Sequence, residues 1–412
     1  MTASLPRRQS LANGRGRLAK PLGVAFALLA WSASPQADAP APVTFTEIER
    51  TRILAHGPWP RPATRDPSNR MSGRAEAVAF GERLFFDTRL SQNGLVSCAA
   101  CHQPKRHWTD GRERAIGLAV VDRNTPSLQN VRDARWFGWD GAGDSLWGQS
   151  IRPLLDPREM GNSIAGVAAR IREIADFACH YRQAFGRAPP ADDTVVVVDA
   201  AKALAAFEET LDSPRTPFDE FRDALSRGDS QAMARYPAAA QRGLKLFAGR
   251  GRCELCHGGP TFSNGEFNDT GIAFFIEPGR VDPGRYGGIK QLKVSEWNLL
   301  GAWSDDPART TATSTRYVAL EHRNFGEFKV PGLRDVAMTA PYMHNGSLKT
   351  LDDVVNHYSE LPLDRLHADG ERLLVPLKLT PDEKRDLIAF LESLSAPDPG
   401  FQRRETRAAV CN

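Results

Sequence analysis

Neither sign of charge is in useful surplus in this sequence: 53 Lys and Arg stand against 50 Asp and Glu, a formal net charge of +3 over 412 residues. So small an excess implies no nucleic-acid partner and outlines no acidic or basic docking face. Runs of like charge and low-complexity tracts are also missing from the body of the chain. Beyond the first forty residues no apolar stretch approaches the ~20 residues that a bilayer span requires. Apolar content is 41% and charged content 25%, ordinary values for a soluble chain with a real core. The length allows two or three domains. Cysteine and histidine are scarce, at 6 and 9 residues. Their placement therefore carries information.

The N-terminus departs from the rest. "RRQSLANGRGRLAK" is basic without an acid, "PLGVAFALLAWSA" is apolar but short for a span, and "QADAPAP" supplies small residues in an A-x-A pattern. This order reads as a secretory signal peptide over 1–39, cut near Ala39. An uncleaved anchor is the alternative. The reading places the mature chain in the periplasm with no membrane span.

Four of the cysteines and two of the histidines fall in two pentapeptides, "CAACH" at 98–102 and "CELCH" at 253–257. On a helical turn, residues three and four apart share a face. Cys98 and Cys101 can then form thioethers to the two vinyl groups of one haem while His102 reaches its iron, and Cys253, Cys256 and His257 repeat the arrangement. Zinc uses the same residue types but needs further ligands at closed spacing. A redox C-x-x-C belongs near a βαβ pattern, which the chain does not show. The remaining Cys179 and Cys411 can pair in an oxidising compartment or stay free, and the sequence assigns them no role.

Apolar residues recur at helical spacing over 165–185, 195–211 and 382–394, the last with acids at its start. "SPRTPFDEF" at 213–221 is a proline-marked break. The pattern predicts a mainly α fold of two cytochrome c-like lobes with one covalent haem each, an N-terminal lobe over 40–235 and a C-terminal lobe over 236–412. The Gly-rich stretch 258–327 is weakly periodic and yields no reading.

The strings "GERLFFDTRLSQNGLVSCAACH", "RNTPSLQN", "WFGWDGAGDSLWGQSIRPLLDPREMG", "QRGLKLFAGRGRCELCHGG" and "FKVPGLRDVAMTAPYMHNGSLKTLDDVVNHY" occur in that order over nearly the whole mature chain. In them the chain resembles the bacterial di-haem cytochrome c peroxidases, and especially their MauG-type branch, which includes MbnH-like proteins. The resemblance implies two haem c groups, one calcium ion between the lobes, and reaction with hydrogen peroxide.

Many members of the family hold a movable His ligand shortly before the Asn of "RNTPSL". Here that stretch, "TDGRERAIGLAVVDRN", has no His, and His107 lies on the attachment side. The first haem is therefore expected to keep an open face, as in the MauG branch. By the same resemblance Glu159 is the distal acid that takes and returns the peroxide proton, with Gln149 and Pro153 flanking the open site. A plainer reading makes Glu159 a helix N-terminal acid after Pro157. Tyr358 stands where other members place a Met ligand. Its helix face, shared with Leu351, Val354 and Val355, points inward. A core Tyr is the plainer reading, and Met338, Met343 and His357 are rival ligands. A phenolate suits a haem that stores an oxidising equivalent, so the two haems can hold both equivalents of one peroxide in a shared high-valent state.

Trp139 matches the family's tryptophan between the haems, a relay if it is not merely core. Trp108, Trp136 and Trp147 are candidate exits. Asn124 and the carbonyls of Thr339 and Pro341 correspond to the calcium ligands. Two functions follow. One is peroxide-driven oxidation of an exported partner protein at Trp or Tyr. The other is peroxide reduction with electrons from a small cytochrome or copper protein. Tyr358 and the missing distal His favour the first.

Overall fold

The computed structural model describes residues 43–272, 275–363, 369–370, 373–396, 400–401 and 411. The expected leader lies outside them. The fold is mainly helical. In chain order the helices are α1 (Glu47–Leu54), α2 (Ala75–Phe85), α3 (Cys98–Cys101), α4 (Leu146–Leu155), α5 (Ile164–Glu173), α6 (Ala175–Phe185), α7 (Asp193–Glu208), α8 (Pro217–Arg227), α9 (Ser230–Met233), α10 (Ala238–Ala248), α11 (Arg285–Val294), α12 (Thr313–Tyr317), α13 (Leu351–Glu360) and α14 (Pro381–Glu392). No helix among the described residues is long and apolar enough to cross a membrane. Strands are short: β1 (Phe267–Asn268) pairs antiparallel with β4 (Phe328–Lys329), and β2 (Phe275–Glu277) with β3 (Arg280–Val281).

Local sequence explains most helix ends. α8 starts at the proline-marked break, where Thr216 and Asp219 form a capping box and Pro217 takes the first helical position, a site that needs no N–H donor. Capping boxes at Thr350 and Thr380 open α13 and α14 in the same way. The helix expected over 165–185 is instead two, because Ile174 is extended with ψ 110°. Arg170 and Arg172 end α5 and Asp176 opens α6, each charge placed as a helix terminus favours.

Buried apolar side chains form two clusters. The first runs from Met71 to Leu211 and rests on α2 against α7. The second rests on α10 against α14. Each crossing is made close by one glycine. A Cβ on Gly81 would meet the Ala203 carbonyl oxygen at 1.9 Å, and one on Gly243 the Asp386 carbonyl oxygen at 1.9 Å. In both clusters the glycine-bearing helix leads into a Cys-x-x-Cys-His segment. Phe218, Phe221 and Leu225 of α8 pack in the second cluster, as does Ile53 of α1. The apolar face of α8, at spacings of three and seven, lies there rather than with α7, so the second cluster begins well before residue 236.

Part of the stretch 258–327, unread in sequence, lies across the first cluster, while its Phe262 packs in the second. Trp297 and Trp303 pack on the first. Lys202 Nζ donates to the Trp303 carbonyl at 2.8 Å and pairs with Asp305 at 2.6 Å. Arg123 pairs with Asp140 and Asp282, each at 2.7 Å. Cys179 and Cys411 form a disulfide, and Phe401 stacks on Phe86 with ring centroids 5.7 Å apart.

Candidate active site

Both pentapeptides fold as one tight turn. The His102 N–H donates to the Cys98 carbonyl at 2.9 Å, and the His257 N–H to the Cys253 carbonyl at 2.8 Å. Each turn brings its two thiols and imidazole to one side. The four thiols are half-buried and not joined in disulfides. Burial raises all four, Cys101 to about 11 and Cys253 to about 12. Among the described residues no group of three or more His, Cys, Asp or Glu is placed to hold a metal ion, which leaves a zinc reading short of ligands.

The histidines are oriented by one device used twice. His102 Nδ1 donates to the Trp108 carbonyl at 3.1 Å, and His257 Nδ1 to the Phe262 carbonyl at 2.9 Å. A carbonyl can only accept, so both rings carry a proton on Nδ1; the Pro126 and Pro331 carbonyls also act on His102 and His257. Trp108 and Phe262 present those carbonyls from left-handed backbone, with φ of 62° and 55°. Bulky residues rarely adopt it, at a cost of roughly 1–3 kcal/mol each. Aromatic packing holds them. Trp108 lies 5.7 Å from Phe85 and 5.0 Å from Phe401, and Phe262 lies 4.4 Å from His56 and 5.2 Å from Phe218. Trp108 is thus buried at the first motif rather than facing solvent. Trp136 and Trp147 are buried too.

Different groups face the two motifs. Near the first, Glu159 acts electrostatically on both Cys98 and Cys101. Its carboxyl is pushed up to about 7, first by burial and then by Asp156. It sits in the turn after α4, since the next helix opens at Ile164 behind a Ser163 cap. It is therefore not a helix N-terminal acid. Gln149 and Pro153 share α4 at a spacing of four. Pro153 has no N–H for the Gln149 carbonyl, and the Gln149 Oε1 accepts from Arg152 at 3.4 Å. Glu208 of α7, buried beside Ser150 at 3.5 Å, also acts on Cys98. No sequence signal marked it.

Near the second motif stands Tyr358. Its hydroxyl is held well above the usual phenol range, first by burial and then by Cys253 and Cys256. Two of its three rivals are placed otherwise, while Met343 is half-buried. His357 Nε2 meets the Thr270 carbonyl at 2.8 Å, and Met338 is 50% exposed. A cleft of about 660 Å³ lined by Cys256, Leu255, Trp136, Phe267 and Arg285 opens beside this motif.

Trp139 and Asn124 lie together, the indole Nε1 donating to the Asn124 carbonyl at 2.9 Å. The Asn124 N–H donates to the His344 carbonyl at 2.8 Å, which sets Asn124 against the loop that carries Thr339 and Pro341. The Asn124 side chain donates from Nδ2 to Arg112 at 2.7 Å.

Each motif thus gathers two half-buried thiols and one oriented imidazole at a single turn. Comparison with known proteins gives the family. Residues 75–227 match the family model described as di-haem cytochrome c peroxidase. The methylamine utilization protein MauG of Methylorubrum extorquens is 36% identical over 323 residues, covering 78% of each chain. Cytochrome-c peroxidase IdrP1 of a Pseudomonas strain is 31% identical over 374 residues, covering 87% of this chain and 90% of the relative. The crystal structure of a MauG-like protein associated with microbial copper homeostasis superposes with a TM-score of 0.63 at 29% identity, over 82% of this chain and 94% of the other. The chain belongs to the di-haem cytochrome c peroxidase family, and it is an oxidoreductase of the peroxidase type that takes two haems.

Proposed function

We propose that this chain is an exported, periplasmic enzyme that uses hydrogen peroxide to oxidise a partner protein at Trp or Tyr. The single observation that carries the reading is the half-buried Tyr358, whose hydroxyl lies close enough to Cys253 and Cys256 to feel both. His102 with Cys98 and Cys101 would hold one haem c. His257 with Cys253 and Cys256 would hold the other, and Tyr358 would supply an oxygen donor to it. Each hydrophobic cluster would then be one haem lobe. Bound haem supplies the iron that cleaves peroxide and stores oxidising equivalents.

The side chains do the rest. His102 and His257 keep their protons on Nδ1 and present Nε2. Glu159, with a carboxyl near 7, can take a proton from peroxide and return it to the leaving oxygen at neutral pH. The segment 109–124 contains no His, so no imidazole from it closes the peroxide side. Trp139, fixed through Nε1, would pass electrons between the centres. Asn124, Thr339 and Pro341 would hold a calcium ion that keeps their spacing, with waters completing six to eight ligands. The MauG relatives, one of them named as a methylamine utilization protein, support this reading. The cytochrome-c peroxidase relatives support a second reading, peroxide reduction fed by a small redox protein.

The test is the electron paramagnetic resonance spectrum of the resting ferric protein and of Tyr358→Met. The reading expects one high-spin and one low-spin centre. It also expects a near-infrared band of charge sharing after peroxide that Tyr358→Met abolishes. Two low-spin centres, or a Tyr358→Met variant that keeps the band, would refute it. Rapid turnover with reduced cytochrome c would favour the second reading.

A further inference from the structure

We propose that Arg285 guards Trp136: its guanidinium, laid over the indole, keeps that ring from losing an electron, so oxidising equivalents remain on Trp139. The inference rests on the relay reading for Trp139. The Arg285 guanidinium carbon is 4.2 Å from the Trp136 ring centroid and 4.0 Å from that of Phe267. Arg285 is 3% exposed, and its Nη1 donates to the carbonyls of Gly141 at 2.8 Å and Asp140 at 3.3 Å. Gly141 permits the approach, since a Cβ there would meet Nη1 at 2.4 Å.

The charge is real and is not cancelled by a direct carboxylate bond. Burial lowers the guanidinium to about 10, which leaves it protonated at neutral pH. The carboxylates that face it are engaged with other groups: Asp140 with Arg123 at 2.7 Å, Glu266 with Arg135 at 2.9 Å, and Glu327 with Asn324 Nδ2 at 3.0 Å.

Trp136 needs a guard because of where it lies. It is buried but lines the cleft beside Cys256, with the exposed Tyr317 on the same wall. It is also close to the relay. The Lys329 N–H donates to the Trp139 carbonyl at 2.8 Å, while its Nζ donates to the Trp136 carbonyl at 3.1 Å. One electron passing from the Trp136 indole to oxidised Trp139 would restore Trp139. It would leave Trp136 a radical cation, which would then shed its Nε1 proton to water in the cleft. A cation over the face attracts a neutral indole and repels a positively charged one. Arg285 therefore opposes this transfer.

The experiment uses the holoprotein and its Arg285→Met and Arg285→Lys variants. Each is oxidised either by photogenerated ruthenium(III) tris-bipyridine without peroxide, or by hydrogen peroxide without a partner. Oxygen addition at Trp136 is then located by tandem mass spectrometry. Trp136 is expected to gain at least fivefold more modification in Arg285→Met than in wild type, with Arg285→Lys close to wild type. If Arg285→Met does not accumulate, Arg285→Gln, which retains amide donors without the charge, carries the test. Equal Trp136 modification in wild type and the neutral variant under ruthenium overturns the proposal. A rise under ruthenium but not under peroxide supports the guard and removes Trp139 from the peroxide path, so the two failures are distinguishable.

Discussion

If Glu159 is the acid proposed above, peroxide cleavage should depend on pH in a window where an ordinary glutamate would leave it flat. Burial and Asp156 push the Glu159 carboxyl up to about 7 against Arg152 and Arg158, which pull it down. If the carboxylate takes the first proton, the rate follows the ionised fraction. A group at about 7 is about 90% ionised at pH 8 and about 1% ionised at pH 5, a fall approaching a hundredfold. A glutamate at its ordinary value would stay about three-quarters ionised at pH 5 and lose almost nothing. The assay is stopped-flow mixing of the ferric protein with peroxide, read at the haem Soret band from pH 5 to 8. The wild-type rate should rise along a single titration centred near 7. Glu159→Gln should be slower at pH 8 by ~10²–10⁴ and nearly flat. A flat wild-type profile, or a variant that keeps both rate and profile, removes Glu159 from the proton path.

Asp219 offers a test of the second cluster. It is 1% exposed and takes both Arg334 Nη groups, at 2.9 and 3.0 Å. Asp219→Ala strands a buried guanidinium and should cost ~3–5 kcal/mol, seen as a lower urea midpoint; an unchanged midpoint refutes this. Glu208 tests the first cluster. Burial raises it from 4.5 to about 8, so the folded chain keeps a proton that the unfolded chain releases. The stability this gives is whole below 4.5 and is lost as pH rises toward 8. Glu208→Gln should therefore raise the thermal midpoint at pH 8, by an amount on the order of 2–4 kcal/mol, and leave it unchanged at pH 4. Cys179→Ser opens a link between residues 232 apart and should cost ~2–5 kcal/mol, with reductant bringing wild type to the same midpoint. Removing calcium with a chelator should slow electron transfer between the haems, read as slower loss of the near-infrared band; no change would argue against a bridging ion.

How much of this could be read from the sequence depended on whether each feature is local. The two pentapeptides are local, and the turn geometry they require is the one found. Helices α7 and α14 followed from apolar spacing, and α8 from a proline that opens a helix rather than only breaking one. The split at Ile174 was written in charge, Arg172 before it and Asp176 after it, but apolar period alone runs straight through. The stretch 258–327 gave nothing because side-chain bonds to distant residues shape it, such as Arg123 to Asp282 and Lys202 to Asp305. Trp108 and Phe262 were illegible as orienting residues, since positive φ is the habit of glycine and no pattern announces a Trp or Phe there. Nothing in the sequence marks Arg285 as a charge that the fold buries. The Cys179–Cys411 bond joins residues too far apart for spacing to suggest it.

The two motifs also explain how one scaffold can serve two purposes. A glycine crossing, a Cys-x-x-Cys turn, and a histidine aimed by the carbonyl of a left-handed aromatic residue recur at both, and the backbone strain recurs with them. Strain of that kind persists only where the surroundings overdetermine the conformation, and each aromatic is boxed by rings from elements distant in sequence. The attachment halves are therefore alike and rigid. What differs is what faces each turn: a carboxyl poised near neutral pH at the first, a half-buried phenol at the second. A carboxyl of that kind suits proton transfer, and a phenol suits holding charge. Because the difference lies in one side chain on each side rather than in the frame, single substitutions at Glu159 and Tyr358 should change the chemistry of one centre while leaving both attachment turns intact.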